Sequence, residues 1–291
     1  MSTVKMDNVN TNVEPPLFEE NGKAVLTGFK VGEKRTRYAI IAVHDPLGFR
    51  SEVADYIAGF MNNVTDVTRN TMFTIVNAFY KDTEILIAST GSGAPETEIV
   101  LMDMMHYAGV DTFLRIGTSG TQRADVNVGD VIITSGAVRD EGLTKEYISS
   151  TYPAIANYEL LVAMIESAEL LNLDYHVGIT RSSDSIYCGQ GRTANGYIPA
   201  TQEKTVEYWR NAGVLNVERE TSAILTLPLL FGARGGAVNV ACNSSVTQKV
   251  GVTQGVDDAI RVGLDGLAML AKWDKLKEKA GKKWWYPGLE K

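Results

Sequence analysis

Cysteine is scarce in this chain. Only two cysteines, Cys188 and Cys242, occur among its 291 residues. Two thiols are too few for a disulfide framework or a zinc cluster, and such scarcity is typical of proteins in a reducing compartment. The composition therefore favours a cytoplasmic protein.

The chain also lacks an excess of basic residues and any long apolar run. Its formal net charge is −7, whereas a nucleic acid or an anionic membrane as partner requires a basic surface. Residues 224–231 form the longest apolar stretch, which is too short for a bilayer, and residues 1–20 contain no signal-like apolar segment. We expect no nucleic acid and no membrane as partner, although a few local arginines could still bind a small anion.

Cofactor and metal motifs are missing as well. The three histidines, His44, His106 and His176, have neither metal-ligand nor catalytic-triad spacing. No Gly-Lys-Ser or Gly-Lys-Thr occurs, and the glycine loop at 90–95 is followed by Glu96 where a dinucleotide fingerprint has its third glycine. We expect no organic cofactor, but this loop can still offer backbone N–H groups to an anion or a sugar.

Strand-like and helix-like segments alternate along the chain. The polar residues 1–21 predict a flexible N-terminal arm, and residues 22–291 predict a single domain. Strand patterns occur at 38–43, 73–80, 84–88, 112–116, 131–134, 176–180 and 235–242, and helix patterns at 96–107, 156–171, 202–211 and 256–279. This alternation predicts an α/β fold, with a mostly parallel central sheet flanked by helices and ligands at the carboxyl ends of the strands.

One charged side chain falls inside a predicted buried strand. Arg115 interrupts the apolar segment 112–116, just before the glycine-flanked loop at 117–120. A buried guanidinium needs an anion. Either a carboxylate elsewhere in the chain supplies it, or a ligand oxyanion does, with the Thr118 hydroxyl completing the cradle. Arg69 could add a second positive charge.

A second motif suits a flat heterocycle. Gln190 and Arg192 are separated by one residue and lie between glycines 189 and 191, which allow turn conformations that a Cβ would forbid. An amide offers an acceptor and two donors, and a guanidinium offers a rigid fork of donors, so the pair matches the carbonyl and N–H edge of uracil. The motif indicates a pyrimidine site, with an ordinary surface loop as the alternative.

A third motif places two carboxylates two residues apart. Glu218 and Glu220 open the helical run that continues to residue 224. Such a pair could act as acid and base, bind a metal, or grip vicinal hydroxyls, and the simplest alternative is a charged helix N-terminus. For Glu218 the helix-terminus interpretation suffices, whereas Glu220 fits a grip on the 2′- and 3′-hydroxyls of a ribose.

These loops, in this order and with these separations, resemble the nucleoside phosphorylase I family, most closely its uridine-cleaving members. The similarity runs from about residue 38 to residue 272, and residues 189–192 are its most specific part. The resemblance implies a mixed central sheet, partly barrel-like and flanked by helices. It also implies a pentosyltransferase of pyrimidine salvage that cleaves uridine with inorganic phosphate, and homodimers with shared active sites that can assemble further.

The resemblance assigns a phosphate site. Arg115 and Thr118 would bind phosphate, with Arg69 reaching into the site of the partner subunit. The family's first strand ends in Gly-Asp-Pro followed closely by a phosphate-binding arginine. This chain instead has His44-Asp-Pro, and its nearest arginine, Arg50, is displaced by two positions and is the candidate for this phosphate ligand.

The resemblance also assigns the nucleoside subsites. Gln190 and Arg192 would hold uracil, next to Thr118 and Gly120, while Glu220 and Thr118 would fix the ribose. The implied catalytic residues are Arg115, Gln190, Arg192 and Glu220.

Two departures from the family pattern concern the sugar and a cation. Relatives carry Met between the two glutamates, where Arg219 would add charge next to the ribose. Glu96 replaces a Ser that lies near a monovalent-cation site between subunits in some relatives. Together with Ser92 it predicts an interface cation, calcium or potassium.

Three alternatives remain open at this point. A nucleosidase using water would leave Arg115 without an oxyanion, and a purine phosphorylase would have an Asp after the last strand, where this chain has Asn243. A catalytically silent nucleoside-binding protein is the third. Phosphate-dependent turnover of uridine itself separates all three from the uridine-cleaving assignment.

Overall fold

The computed structural model describes residues 18–30, 32, 35–45, 48–49, 51–251 and 253–290. Its strands are β1 (Glu19–Glu20), β2 (Lys23–Ala24), β3 (Tyr38–Val43), β4 (Asn62–Arg69), β5 (Thr74–Tyr80), β6 (Thr83–Thr90), β7 (Thr112–Thr121), β8 (Val131–Asp140), β9 (Ala154–Ile155), β10 (Tyr175–Ser183), β11 (Val214–Glu218) and β12 (Arg234–Ser244). Its α-helices are α1 (Val53–Ala58), α2 (Ala94–Asp103), α3 (Leu143–Tyr147), α4 (Tyr158–Leu170), α5 (Thr205–Asn211), α6 (Thr221–Leu230) and α7 (Val256–Ala280). A π-helical turn, Met104–Ala108, extends α2, and short 3-10 turns occur at Cys188–Gln190 and Pro287–Glu290.

Local sequence explains the main elements. All six residues of β3 are buried, as expected for an apolar run covered on both faces. The N-terminus of α1 is capped by Glu52, whose carboxylate accepts from the backbone N–H of Asp55 at 3.0 Å. At its other end, α7 stops at Gly281, whose φ of 62° is left-handed and suits glycine.

The central sheet combines a closed ring with an open extension. The ring has the order β7-β12-β8-β10-β11, and β11 closes it by pairing with the end of β7. The extension continues from β7 through β3, β6 and β5 to β4. The expected α/β architecture, a mixed sheet that closes partly into a barrel between helices, is confirmed.

The prediction of a mostly parallel sheet was wrong in part. Antiparallel pairs join β4 to β5, β5 to β6, β8 to β12 and β7 to β11. The β5–β6 pair follows from a tight turn, because only Lys81 and Asp82 separate the two strands and a parallel connection needs a long crossover. The β7–β11 pair follows from closure of the ring.

Strand β7 joins the two parts of the sheet. Its first half, from Thr112 to Arg115, pairs with β3, and its last two residues, Gly120 and Thr121, pair with β11. The strand changes neighbours between these positions, and therefore the segment that follows Arg115 lies where the open sheet becomes a barrel. Loops from both parts of the sheet can reach this point.

Two longer strands, besides the two-residue strands β1, β2 and β9, escaped prediction. The edge strand β4 is mostly exposed and polar and forms through pairing with β5. Strand β11 has only five residues, and the polar Asn216 interrupts its buried apolar residues. In the predicted arm at 1–21, residues 1–17 lie outside the described residues, and Glu19–Glu20 pairs with Lys23–Ala24.

Among the described residues no helix combines the length and the apolar character needed to cross a bilayer. The longest, α7, carries charged side chains along its length. Its buried side packs with α1 and α4 in a large apolar cluster on one face of the sheet, while α2 contributes to a second cluster.

Candidate functional site

The centre of the site is a buried guanidinium between two carboxylates. The Arg115 side chain is 2% exposed; its Nε donates to Glu218 Oε2 at 2.8 Å and its Nη2 to Glu220 Oε2 at 2.7 Å. Their charges outweigh the effect of burial, which alone would lower the pKa of Arg115, and raise it above its usual value. The sequence left open whether a carboxylate of the chain or a ligand oxyanion balances the Arg115 charge. The structure shows that carboxylates of the chain do so. A guanidinium has five N–H groups, and these two bonds leave three to donate elsewhere.

Glu218 holds this arrangement together. It is the last residue of β11, and Oε1 accepts from the Ser182 hydroxyl at 2.6 Å, while Oε2 accepts from the backbone N–H groups of Glu220 and Thr221 at 2.8 and 2.9 Å. Burial would raise the pKa of Glu218, but the Arg115 charge and these donors lower it below its usual value. Glu218 is therefore ionised, and it caps the start of α6.

Glu220 links Arg115 to the glycine loop after β6. Its Oε1 accepts from the backbone N–H of Gly93 at 2.6 Å and from the Ser92 hydroxyl at 3.4 Å. Burial raises the pKa of Glu220, and the charge of the nearby Glu218 raises it further. The Arg115 charge offsets these effects only in part. The two carboxylates differ because Glu218 has more donors, so its pKa lies below the usual value while that of Glu220 lies above it.

Arg219 lies next to the same glycine loop. Its Nη1 donates to Ser92 Oγ at 3.0 Å, and its Nη2 is 3.4 Å from the position that a Cβ on Gly93 would occupy. The loop and the segment between the two glutamates are thus in direct contact. Glu96 packs across Gly91 at the start of α2. In the described part of the chain, no group of three histidine, cysteine or acidic side chains could hold a metal ion.

Thr118 faces a different partner from Arg115. Its hydroxyl donates to Asp45, which follows β3. The buried thiol of Cys242 is close to both, and burial together with the Asp45 charge raises its pKa to about 11. Gly120 pairs with Val217, and a Cβ at this glycine would collide with Asn243.

The other two arginines that were assigned to phosphate are not part of this cluster. Arg69 ends β4 on the surface, where its guanidinium binds Asp55 at 2.6 Å and Asp66 at 2.7 Å. The hydrogen bonds that Arg69 donates to Asp55 and Asp66 raise its pKa. Arg50 lies outside the described residues.

Gln190 and Arg192 are in contact with each other. Arg192 Nη1 donates to Gln190 Oε1 at 2.8 Å and to the backbone carbonyl of Ile186 at 2.6 Å. Gly191 between them has a φ of 74°, the left-handed conformation that the sequence predicted for a glycine here. The two side chains are therefore held next to each other across Gly191.

The loop that carries this pair is tied to the barrel. Arg181 in β10 donates from Nη1 to the backbone carbonyl of Gly189 at 2.6 Å and from Nε to Asp140 at 2.9 Å. The next residue of β10, Ser182, bonds Glu218. Consecutive residues of one strand thus connect the Gln190 loop to the Arg115 cluster.

The structure brings four of the eleven predicted site residues, Arg115, Glu220, Arg219 and Ser92, into one contact network centred on Arg115. Its members are Arg115, Glu218, Glu220, Ser182, Ser92, Gly93 and Arg219. Sequence reasoning missed Ser182 and undervalued Glu218. The available signal was the i, i+2 spacing of the glutamates, which places both side chains on one face when the segment is extended.

The fold and the site together define an α/β protein of the nucleoside phosphorylase type, with its charged residues at the strand where sheet and barrel meet. The chain belongs to the phosphorylase superfamily, whose family model matches residues 39–263.

Curated relatives make the likeness more specific. The chain is 41% identical over 211 residues to a uridine phosphorylase of Thermococcus kodakarensis, and the aligned region covers 72% of this chain and 76% of that protein. It is 35% identical to the uridine phosphorylase of Escherichia coli, over 62% of this chain and 72% of that protein. A guanosine phosphorylase of Halorubrum lacusprofundi is 34% identical, over 63% of this chain and 71% of that protein.

Proposed function

We propose that this chain is a uridine phosphorylase, a pentosyltransferase that converts uridine and inorganic phosphate into uracil and ribose 1-phosphate. The observation that carries the proposal is the Gln190–Arg192 pair, aligned at 2.8 Å on a loop tied to the Arg115 cluster. Its donors and acceptor match a pyrimidine edge. Relatives named uridine phosphorylase support the same substrate.

The reaction needs no covalent enzyme intermediate. Phosphate attacks the anomeric carbon while the glycosidic bond breaks through an oxocarbenium-like state. Gln190 and Arg192 stabilise the negative charge that grows on the departing uracil, and each preorganised donor of this kind contributes about 3 kcal/mol. Phosphate, bound by the remaining N–H groups of Arg115 and by Thr118, faces the positive sugar.

The ribose lies between these two subsites. Glu220 accepts from the 2′- and 3′-hydroxyls, and Arg219 and Ser92 flank it at the glycine loop. An ionised Glu220 is the better acceptor. Because its pKa is raised, binding of the ribose weakens as the pH falls through that pKa.

Turnover of uridine with and without phosphate tests the proposal. We expect loss of uridine absorbance only when phosphate is present. Cleavage in water alone would identify a nucleosidase, and binding without cleavage would identify a silent nucleoside-binding protein. Guanosine belongs in the same assay, because one relative is named a guanosine phosphorylase; preference for guanosine would contradict the pyrimidine assignment.

The variant Gln190→Leu tests the uracil subsite. The change keeps the volume but removes the amide, so a polar edge of the base loses its partner, and kcat/KM for uridine should fall about 10- to 100-fold. The KM for phosphate should stay unchanged. Thr193→Val, an exposed change in the same loop, is the matched control. Unchanged discrimination between uridine and guanosine in Gln190→Leu would remove this role.

We also propose a cytoplasmic homodimer in which Arg69 completes the phosphate site of the partner subunit. Arg69 is 42% exposed and is already oriented by Asp55 and Asp66, which supports a role at a surface. Mixing Arg69→Ala and Gln190→Leu protomers, each impaired alone, should restore activity, because one site of each mixed dimer is intact. If the mixture has only the average of the two variants' separate activities, the active sites are not shared between subunits.

A cation at Ser92 and Glu96, calcium or potassium, is the remaining proposal for this interface. Glu96 lies in the first turn of α2, next to the glycine loop, where a carboxylate and a hydroxyl offer the oxygen ligands that calcium prefers. Calorimetric titration with calcium should give a saturable signal that Glu96→Gln removes. A titration in which no heat of binding is detected would contradict the calcium site.

A further inference from the structure

Packing does not explain the side-chain amide of Asn239, which is buried inside the barrel. Asn239 of β12 is fully buried, and neither its Oδ1 nor its Nδ2 has a hydrogen-bond partner among the described residues. Its neighbours along the strand, Val238 and Val240, belong to the apolar cluster beneath α7, so Asn239 points to the opposite face. Burying an amide without hydrogen bonds is costly, and a valine or leucine would avoid that cost.

Gly117, the residue paired with Asn239 on the neighbouring strand, indicates which group the Asn239 amide faces. Asn239 is paired in register with Gly117 of β7, and the guanidinium of Arg115 occupies the space where a Cβ on Gly117 would be. Such a Cβ would lie 2.7 Å from Cζ of Arg115, and Nη1 is closer still. Paired residues of neighbouring strands are about 5 Å apart on the same face, so the amide of Asn239 lies next to Nη1.

Nη1 is the atom of Arg115 that the carboxylates do not reach. It is buried and has no partner within the described part of the chain, whereas Nε and Nη2 are held by Glu218 and Glu220. An unsatisfied donor thus faces an unsatisfied acceptor across one strand spacing. This separation suits a single water molecule, which needs two to four polar partners in such a site.

The barrel interior is polar enough for this arrangement. Thr134 and Thr180 share a hydrogen bond of 2.7 Å, and Thr180 donates to Asn216 Oδ1 at 2.8 Å. All three side chains are buried. A water next to Asn239 would therefore continue a hydrogen-bonded interior rather than interrupt an apolar one.

We propose that Asn239 is a positioning residue for Arg115, which it holds through one buried water between Asn239 Oδ1 and Arg115 Nη1. The guanidinium is then fixed at all three nitrogens. The N–H groups that remain, one on Nη1 and one on Nη2, form the end of the fork and are directed at the phosphate. This consequence for phosphate rests on the proposed function, while the hydrogen bond itself does not.

Two substitutions at one position separate positioning from packing. Asn239→Leu keeps the branched shape at Cγ and removes the polar atoms, so Nη1 loses its partner. Asn239→Ala leaves room for a second water, which can replace the amide. Positioning predicts that the leucine variant raises the KM for phosphate about tenfold, with the KM for uridine unchanged, and that the alanine variant raises it less. A packing role predicts the reverse order, because alanine leaves a cavity.

A readout that needs no turnover tests the hydrogen bond directly. The Arg115 Nη1 signal in nitrogen NMR should shift in Asn239→Leu, while the Nε and Nη2 signals, which the two glutamates fix, should stay in place. Thr134→Val, which removes a hydrogen bond elsewhere in the barrel, should leave the Nη1 signal unchanged. An Nη1 signal that does not move in Asn239→Leu would overturn the proposal. If uridine is not cleaved but the NMR difference appears, the proposed function fails and the positioning stands. Should the leucine variant not fold, Asn239→Val takes its place.

Discussion

Arg115→Ala is expected to lower kcat/KM for phosphate-dependent uridine cleavage about 100- to 1,000-fold, as removal of a preorganised charge stabiliser typically does. The same change should destabilise the fold by about 3–5 kcal/mol at neutral pH, because it leaves Glu218 and Glu220 buried without their cation. A purely ligand-binding arginine would cost activity alone. Steady-state kinetics and urea unfolding measure the two effects separately.

The loss of stability in Arg115→Ala should depend on pH. Without the cation, burial raises the pKa of both glutamates above their unfolded values. A group of this kind contributes its stability fully below its unfolded pKa and loses it as the pH rises through its folded pKa. The variant should therefore be less destabilised at pH 5 than at pH 8. Equal destabilisation at both values would show that the carboxylates do not depend on Arg115.

The matched control is Arg123→Ala. Arg123 forms an exposed ion pair with Asp125 at 2.6 Å, and exposed pairs contribute little. Its activity and unfolding midpoint should stay close to those of the natural chain. A loss comparable to that of Arg115→Ala would mean that charge in general, rather than the buried cluster, determines the outcome.

Gly117→Ala is expected to lower kcat/KM about 100-fold and stability by about 1–3 kcal/mol. A Cβ at this position would lie 2.7 Å from Cζ of Arg115, and the guanidinium is held on its other side by two carboxylates. It must therefore shift, and displacement of a positioning group by about 1 Å can cost a factor of 100. Overpacking of a well-filled interior accounts for the loss of stability.

Gly236→Ala on the adjacent strand provides the control for this variant. Its nearest neighbour would be the end of the Leu160 side chain at 3.1 Å, which can adjust more easily than a guanidinium held by two ion pairs. Activity should be nearly unchanged in Gly236→Ala. A Gly117→Ala variant with normal phosphate and uridine kinetics would show that the position of the guanidinium over this glycine has no functional role.

Much of the fold could be predicted because its strands are apolar in themselves. The run at β3 and the start of β7 are buried on both faces, and such runs stand out in a sequence. Strand β11 does not, because it has only five residues and its middle residue is the polar Asn216, whose Oδ1 accepts from Thr180 on the neighbouring strand. The mixture of parallel and antiparallel pairs was equally hidden, since it depends on how the ring closes.

The site was predictable in its components but not in its connections. A charge within an apolar strand and a glutamine–arginine pair between glycines are local features, and both were visible. The bond from Ser182 to Glu218 joins residues 36 positions apart, and no spacing rule indicates it. The contact of Arg219 with Ser92 spans 127 positions, so its place at the glycine loop could not be foreseen either.

Closure of the ring by β11 also bears on how this protein acquires its activity. Both glutamates that hold Arg115 lie at the end of β11 or directly after it, while Arg115 precedes them by more than 100 positions. Such distant segments meet late in folding, because the entropy of a long loop must first be overcome. We therefore expect the guanidinium to gain its counter-charges in the same step that completes the barrel, and a chain stalled before that step to retain much of its secondary structure while lacking the proposed phosphate site.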